Sequence, residues 1–118
     1  MYSAGAWCKP HVMQLDAVAT VFAELGNRTR LEILRLLIKA GPDGLPVGDI
    51  QSRLDIPAST LAFHMRGVVG AGLVEQEKRG RMVLCRPCFD RINDAVAFLK
   101  ENCCAGIGKA EPRRKSVA

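Results

Sequence analysis

Apolar residues recur at helical spacing early in the chain. Leu15, Val18, Phe22 and Leu25 fall on one stripe of a helix expected over 13–25, which Gly26 closes. Asn27 can cap a second helix running through Ala40. Its inner stripe is expected to be Leu31, Leu34 and Ile38 with Leu37 beside them, leaving Arg28, Arg30, Glu32, Arg35 and Lys39 on the wetter side. The stretch Gly41-Pro42-Asp43-Gly44-Leu45-Pro46 is a turn by composition. A short helix over 47–54, burying Ile50 and Leu54, is followed after Asp55-Ile56-Pro57 by another that starts at Ala58 or Ser59 and reaches Val69. Two helices joined so tightly predict a helix-turn-helix. Beyond Gly72 the pattern turns β-compatible in Leu73–Glu77 and Met82–Cys85, with Lys78-Arg79-Gly80-Arg81 as a basic hairpin tip. A last helix is expected from Phe89 to about Cys104, with Phe89, Ile92, Val96, Leu99 and Cys103 on one face.

Three segments follow: a flexible N-terminal arm over 1–12, one folded domain over 13–104, and a disordered basic tail over 105–118. The fold class is mainly α with a β-hairpin wing, a winged helix-turn-helix, homodimeric. Leu15, Val18 and Phe22 on the first helix, and Phe89, Ile92, Val96 and Leu99 on the last, form apolar stripes that a chain of 118 residues would struggle to cover alone. A twofold partner is the natural cover; packing of the two helices on each other within one chain is the competing arrangement.

Charge gives this architecture a purpose. The net charge is +5, which suits a polyanionic partner without identifying one. In a helix-turn-helix the second helix enters the major groove, so Ser59, Thr60, Ala62, Phe63, His64 and Arg66 are the candidate DNA-contacting residues, while Leu61, Met65 and Val68 fit the inward face. Ser59 serves equally well as the cap of its helix or as a phosphate donor. His64 suits DNA contact or a satisfied surface position. Arg79 and Arg81, flanking Gly80 at the wing tip, reach toward phosphates or a minor groove, or form a solvated turn.

No apolar run approaches the roughly 20 residues that span a bilayer, and the N-terminus has no secretory pattern, so a cytoplasmic protein without membrane contact is expected. Five cysteines in a reducing compartment favour thiolate chemistry or metal binding over a disulfide framework. Cys103 and Cys104 are adjacent, which has little structural use, and thiolates select soft ions. Neighbours on a regular helix point about 100° apart. Capture of one ion by both sulfurs is therefore expected to unwind the last turn and shift the subunit contact. Cys85 and Cys88 form a C-x-x-C pair at the end of a strand and the start of a helix, positions that need no chemistry. A thiol–disulfide enzyme would need a βαβ setting, and a hairpin precedes this pair instead, so no enzyme is expected.

The segments Leu25-Gly26-Asn27-Arg28-Thr29-Arg30-Leu31-Glu32-Ile33-Leu34, Ser59-Thr60-Leu61-Ala62-Phe63-His64-Met65 and Ala71-Gly72-Leu73-Val74 resemble those of the ArsR/SmtB family of bacterial metal-sensing repressors. The resemblance runs from about Leu15 to Cys104. It implies a homodimer, with the first and last helices at the interface, that leaves its double-stranded operator when an inducer ion binds. Asn102-Cys103-Cys104-Ala105-Gly106 is similar to the paired-cysteine ending of arsenic-responsive members, which implies trivalent arsenic, arsenite or methylarsenite, as inducer. Two departures narrow the site. The short helix over 47–54 lacks the cysteines other arsenic sensors carry there, and the last helix lacks the histidines of zinc sensors. A third ligand stays open among Cys88, Cys85 and Cys8. Another soft metal (cadmium, lead or antimony) or a thiol redox switch is the alternative trigger.

Overall fold

The computed structural model describes residues 13–108. Five helices and three strands follow one another as α1 (Leu15–Leu25), α2 (Arg28–Ala40), β1 (Leu45–Pro46), α3 (Val47–Leu54), α4 (Ala58–Gly70), β2 (Val74–Arg79), β3 (Met82–Pro87) and α5 (Phe89–Lys100). This is the winged helix-turn-helix expected from the residue pattern. The arm over 1–12 and the tail beyond 108 lie outside the described residues.

Local chemistry explains most boundaries. Asn27 caps α2, its side chain accepting from the Arg30 backbone N–H at 3.1 Å. The tight α3–α4 connection works because Asp55 takes a left-handed conformation (φ 53°), which aspartate tolerates better than most residues, and Pro57 opens α4. At the wing tip Arg79 pairs with Met82, leaving a two-residue turn. Its first residue, Gly80, has φ 61°, the sign that one of the favoured hairpin turns requires there. The sheet has one strand more than expected: β1 pairs antiparallel with β3, Leu45 opposite Cys85, so the order is β1-β3-β2.

The core is built from Val18 and Val21 of α1, Ile33, Leu34 and Leu37 of α2, Ile50 of α3, and Leu61, Met65 and Val68 of α4, closed by Leu73, Val74, Cys85 and Ala95. Ile50, Leu61, Met65 and Val68 take their expected inward places. In α2 the inward face differs from the expected one: Ile33, Leu34 and Leu37 are buried, whereas Leu31 and Ile38 are exposed. Leu37 is fully enclosed, so Leu37→Ala should remove about 2–5 kcal/mol of stability. Chemical denaturation should show that loss as a lower midpoint at an unchanged slope.

The terminal helices carry two apolar faces each. On α1, Val18 and Val21 turn into the core and Leu25 lies partly buried against it. Val18 therefore belongs to the chain's own interior, not to a surface stripe, because the inward face lies one residue round from the expected one. Leu15 and Phe22 stay outside, Leu15 at 69% exposure. On α5, Ala95 is buried and Phe98 packs on the core. Ile92, expected on the partner-facing stripe, packs there as well, and Phe89 of the same stripe is half-buried, while Val96 is exposed at 45% and Leu99 at 69%. The two helices pack against each other within the chain and still leave Leu15, Phe22, Val96 and Leu99 uncovered. Among the described residues no helix is long and apolar enough to cross a membrane.

Candidate nucleic-acid interface and thiol site

Burial of Leu61, Met65 and Val68 fixes which side of α4 looks outward. Ser59, Ala62, Phe63 and Arg66 are exposed and, at i, i+3, i+4 and i+7, share one stripe. Thr60 and His64 flank it half-buried. Pro57, not Ser59, is the cap residue, and no side chain caps this helix. Ser59 is exposed in the first turn, where the backbone N–H groups have no partner within the helix, a place suited to phosphate.

On the wing, Arg81 is exposed. Arg79 is partly engaged: its Nε donates to Glu77 Oε2 at 2.8 Å, and Arg86 binds the same carboxylate. The hydrogen bond from Arg79, then that from Arg86, holds the Glu77 carboxyl below its ordinary range. This contribution to the wing is fully present above the usual carboxylate pKa and is lost as pH falls through the lowered value. The pair is solvent-exposed, so a phosphate can take Glu77's place on Arg79 at little cost.

Beyond the wing α5 stops at Lys100, one turn earlier than expected. Glu101 leaves the helical region (φ −55°, ψ 138°), and Asn102 and Cys104 adopt φ 63° and 64°. Two turn hydrogen bonds, Cys103 N–H to Lys100 O and Ala105 N–H to Asn102 O, each 3.1 Å, close the segment. Left-handed backbone at a cysteine is uncommon and mildly unfavourable. Here its result is that both sulfurs face the same way, Cys103 Sγ lying 3.2 Å from Cys104 Sγ, and both residues are exposed. No unwinding of a regular helix is needed to bring them together, contrary to the expectation from helical spacing.

The remaining cysteines are unlike this pair. Cys85 is fully buried, its sulfur accepts from Gln76 Nε2 at 3.6 Å, and burial pushes its thiol pKa up. A buried, protonated thiol is a poor ligand, which removes Cys85 as a third donor. Cys88 is buried at 2% exposure and stands apart from the exposed pair. Cys8 lies outside the described residues. Among the described residues no cluster of three or more His, Cys, Asp or Glu is placed to hold a metal. In the native protein, Cys103 and Cys104 should alkylate rapidly and Cys85 only after denaturation. Mass spectrometry of iodoacetamide-treated peptides would check this.

Two bonds of about 2.3 Å from thiolates to one ion span about 3.3 Å when they meet near a right angle and about 3.8 Å at the tetrahedral angle. The 3.2 Å separation of Cys103 Sγ and Cys104 Sγ is therefore within reach of a single bridging ion.

Sequence reasoning missed one contact. Arg30, assigned to the wet face of α2, instead stands over the Phe63 ring at 5.6 Å and pairs with Glu24. A charged residue in a helical pattern carries no signal of such a tertiary partner.

Residues 25–77 match a family model described as a helix-turn-helix domain. The chain is similar in structure to an ArsR-like transcriptional regulator from Rhodococcus sp. RHA1, with 30% identity, a TM-score of 0.64, and 72% of this chain and 77% of that one covered. It also resembles the homodimeric winged helix-turn-helix DNA-binding domain of a possible ArsR-family regulator from Mycobacterium bovis. There the identity is 28% and the TM-score 0.60, over 72% of this chain and 74% of that one. An uncharacterized HTH-type transcriptional regulator of Methanocaldococcus jannaschii is 29% identical over 86 residues, 73% of this chain and 94% of that relative.

Proposed function

The chain belongs to the ArsR family of DNA-binding transcriptional regulators, and from that premise we propose that it is a homodimeric repressor released from its operator when trivalent arsenic bridges Cys103 and Cys104. The observation that carries the reading is the pair of exposed sulfurs 3.2 Å apart on a turn already bent to present them. Soft thiolates favour a soft ion, and with two donors in reach a methylated arsenical, which needs only two, suits the site better than arsenite.

The dimer is formed by Leu15, Phe22, Val96 and Leu99, the apolar residues that α1 and α5 leave uncovered. It sets the spacing of two α4 helices, which must match one helical turn of DNA, roughly 34 Å. Ser59, Thr60, Ala62, Phe63, His64 and Arg66 meet the major groove, and Arg79 and Arg81 reach the backbone beside it. The turn over 101–105 follows directly on the end of α5 that carries Val96 and Leu99, so an ion locking it acts at the edge of the subunit contact. A coupling of about 1–3 kcal/mol there lowers operator affinity from several-fold to about a hundredfold.

Titrating methylarsenite, arsenite, antimonite, cadmium, lead, zinc and peroxide against operator binding tests the reading. Release by the trivalent arsenicals, with zinc inert, is expected; release by cadmium or lead alone would replace arsenic with another soft metal. Oxidation of the same pair to a disulfide, strained between neighbours in sequence, is a second reading, and release by peroxide alone would select it.

A further inference from the structure

Away from the thiol pair, a charged contact joins the helix that carries part of the dimer stripe to the helix that faces DNA. Glu24 lies in the last turn of α1, Arg30 in the first turn of α2, and Phe63 and Gly67 one turn apart on α4. Arg30 Nη1 is 2.7 Å from Glu24 Oε2, with the two side chains only 18% and 24% exposed. The pair is not aligned as a hydrogen bond, and Glu24 Oε2 and Arg30 Nε are buried without a hydrogen-bond partner. On its other side the Arg30 guanidinium covers the Phe63 ring at 5.6 Å, and His64 meets that ring edge-on at 5.3 Å. Gly67 is what admits the carboxylate to α4. A Cβ at that position would stand 2.7 Å from Glu24 Oε2 and 3.2 Å from Arg30 Nε.

A half-buried ion pair with unsatisfied atoms is a poor source of stability, since apolar residues of similar volume would hold the helices at least as well. What the charges add is geometry, because one guanidinium plane must meet the Glu24 carboxylate and the Phe63 ring together. We propose that Glu24 and Arg30 are positioning residues for sequence recognition: they fix the orientation of α4 relative to α1 and the placement of Phe63 on its exposed face. Phe63 is 55% exposed, an apolar group of the kind that contacts thymine methyls in a major groove. The proposal rests on α4 being the helix that reads DNA.

Glu24→Gln tests it with opposing signs. The substitution keeps the side chain's size and adds one to a net charge of +5, so electrostatics alone predicts tighter binding to every duplex. Loss of positioning predicts the reverse for specific DNA. Preference for the duplex that the wild-type protein selects from a random pool, measured against mixed-sequence DNA, should fall about tenfold while mixed-sequence affinity stays level or rises. Gly67→Ala attacks the same joint from α4 and should give a similar loss, and combining the two should add little, as coupled sites do. Glu24→Asp, retaining charge at shorter reach, should recover part of the preference and also serves if Glu24→Gln fails to fold.

A lowered melting temperature with wild-type preference in all variants would make the contact merely structural and overturn the proposal. A wild-type protein that selects no sequence would instead overturn the reading of α4 itself, and the positioning role with it.

Discussion

Replacing Cys103 with Ser is expected to leave operator affinity within about threefold of wild type while weakening release by methylarsenite more than about a hundredfold. Cys103 is exposed and lies beyond the last helix, on a turn held by backbone hydrogen bonds. Substitutions in such places usually change stability by no more than about 0.5 kcal/mol. Response to the ion is another matter. The second thiolate acts intramolecularly, and linked binding of this kind is worth about 10²–10⁴ in affinity over a single contact. One remaining sulfur cannot supply that factor, so the half-point for release should move beyond a hundredfold higher ion concentration. Cys104→Ser should behave the same way. Fluorescence anisotropy of labelled operator, titrated with methylarsenite, reads both quantities. Cys85→Ser is the contrasting case: with its sulfur enclosed in the core and no part in ion capture, it should alter stability and leave release unchanged.

The second large effect concerns assembly. Leu99→Asp should turn the dimer into a monomer and reduce operator affinity about 10²–10⁴-fold, the advantage lost when two half-sites no longer bind as one unit. Burying one leucine side chain is worth about 1.5–3 kcal/mol, and a twofold interface counts every substitution twice. Introducing two carboxylates into the same contact adds their desolvation and mutual repulsion. Leu99 is 69% exposed in the isolated chain, so its replacement leaves the core of Ile33, Leu37, Ile50 and Leu61 untouched. Circular dichroism should remain that of a folded protein while sedimentation reports a single subunit. Leu15→Asp, on the facing helix and equally exposed, should reproduce the result. A persisting dimer in both variants would remove α1 and α5 from the interface.

Most of the architecture was legible because it rests on signals local in sequence. The Asn27 cap, the short link through Asp55 and Pro57, and the glycine at the wing tip each act within a few residues, and each does what the pattern implies. The rotation of α2 was not legible. With Leu31, Ile33, Leu34, Leu36, Leu37 and Ile38 all apolar, two faces about 100° apart look equally hydrophobic, and only the neighbours decide between them. Likewise β1 has two residues and no periodicity of its own; it exists because β3 offers it a free edge.

The candidate thiol site illustrates the opposite limit. Spacing continued the α5 stripe through Cys103, since nothing between Lys100 and Cys104 is a glycine or proline that would end a helix. The break at Glu101 and the left-handed Asn102 and Cys104 depend on backbone torsions that the residue pattern does not announce. The adjacency of two cysteines was visible at once, whereas the 3.2 Å approach of their sulfurs was not. Charge was misread at Arg30 for a related reason: helical periodicity sorts residues by polarity and cannot see an ion pair formed across three helices.

The most direct measurement follows thiol consumption and operator release in a single titration. Methylarsenite would be added to the dimer on labelled operator, with anisotropy and free thiols recorded at every step. The proposed mechanism predicts that both curves break together, at one arsenic per subunit and two thiols lost for each arsenic bound. Release of DNA with the Cys103 and Cys104 thiols still free, or their full capture while the operator stays bound, would contradict it.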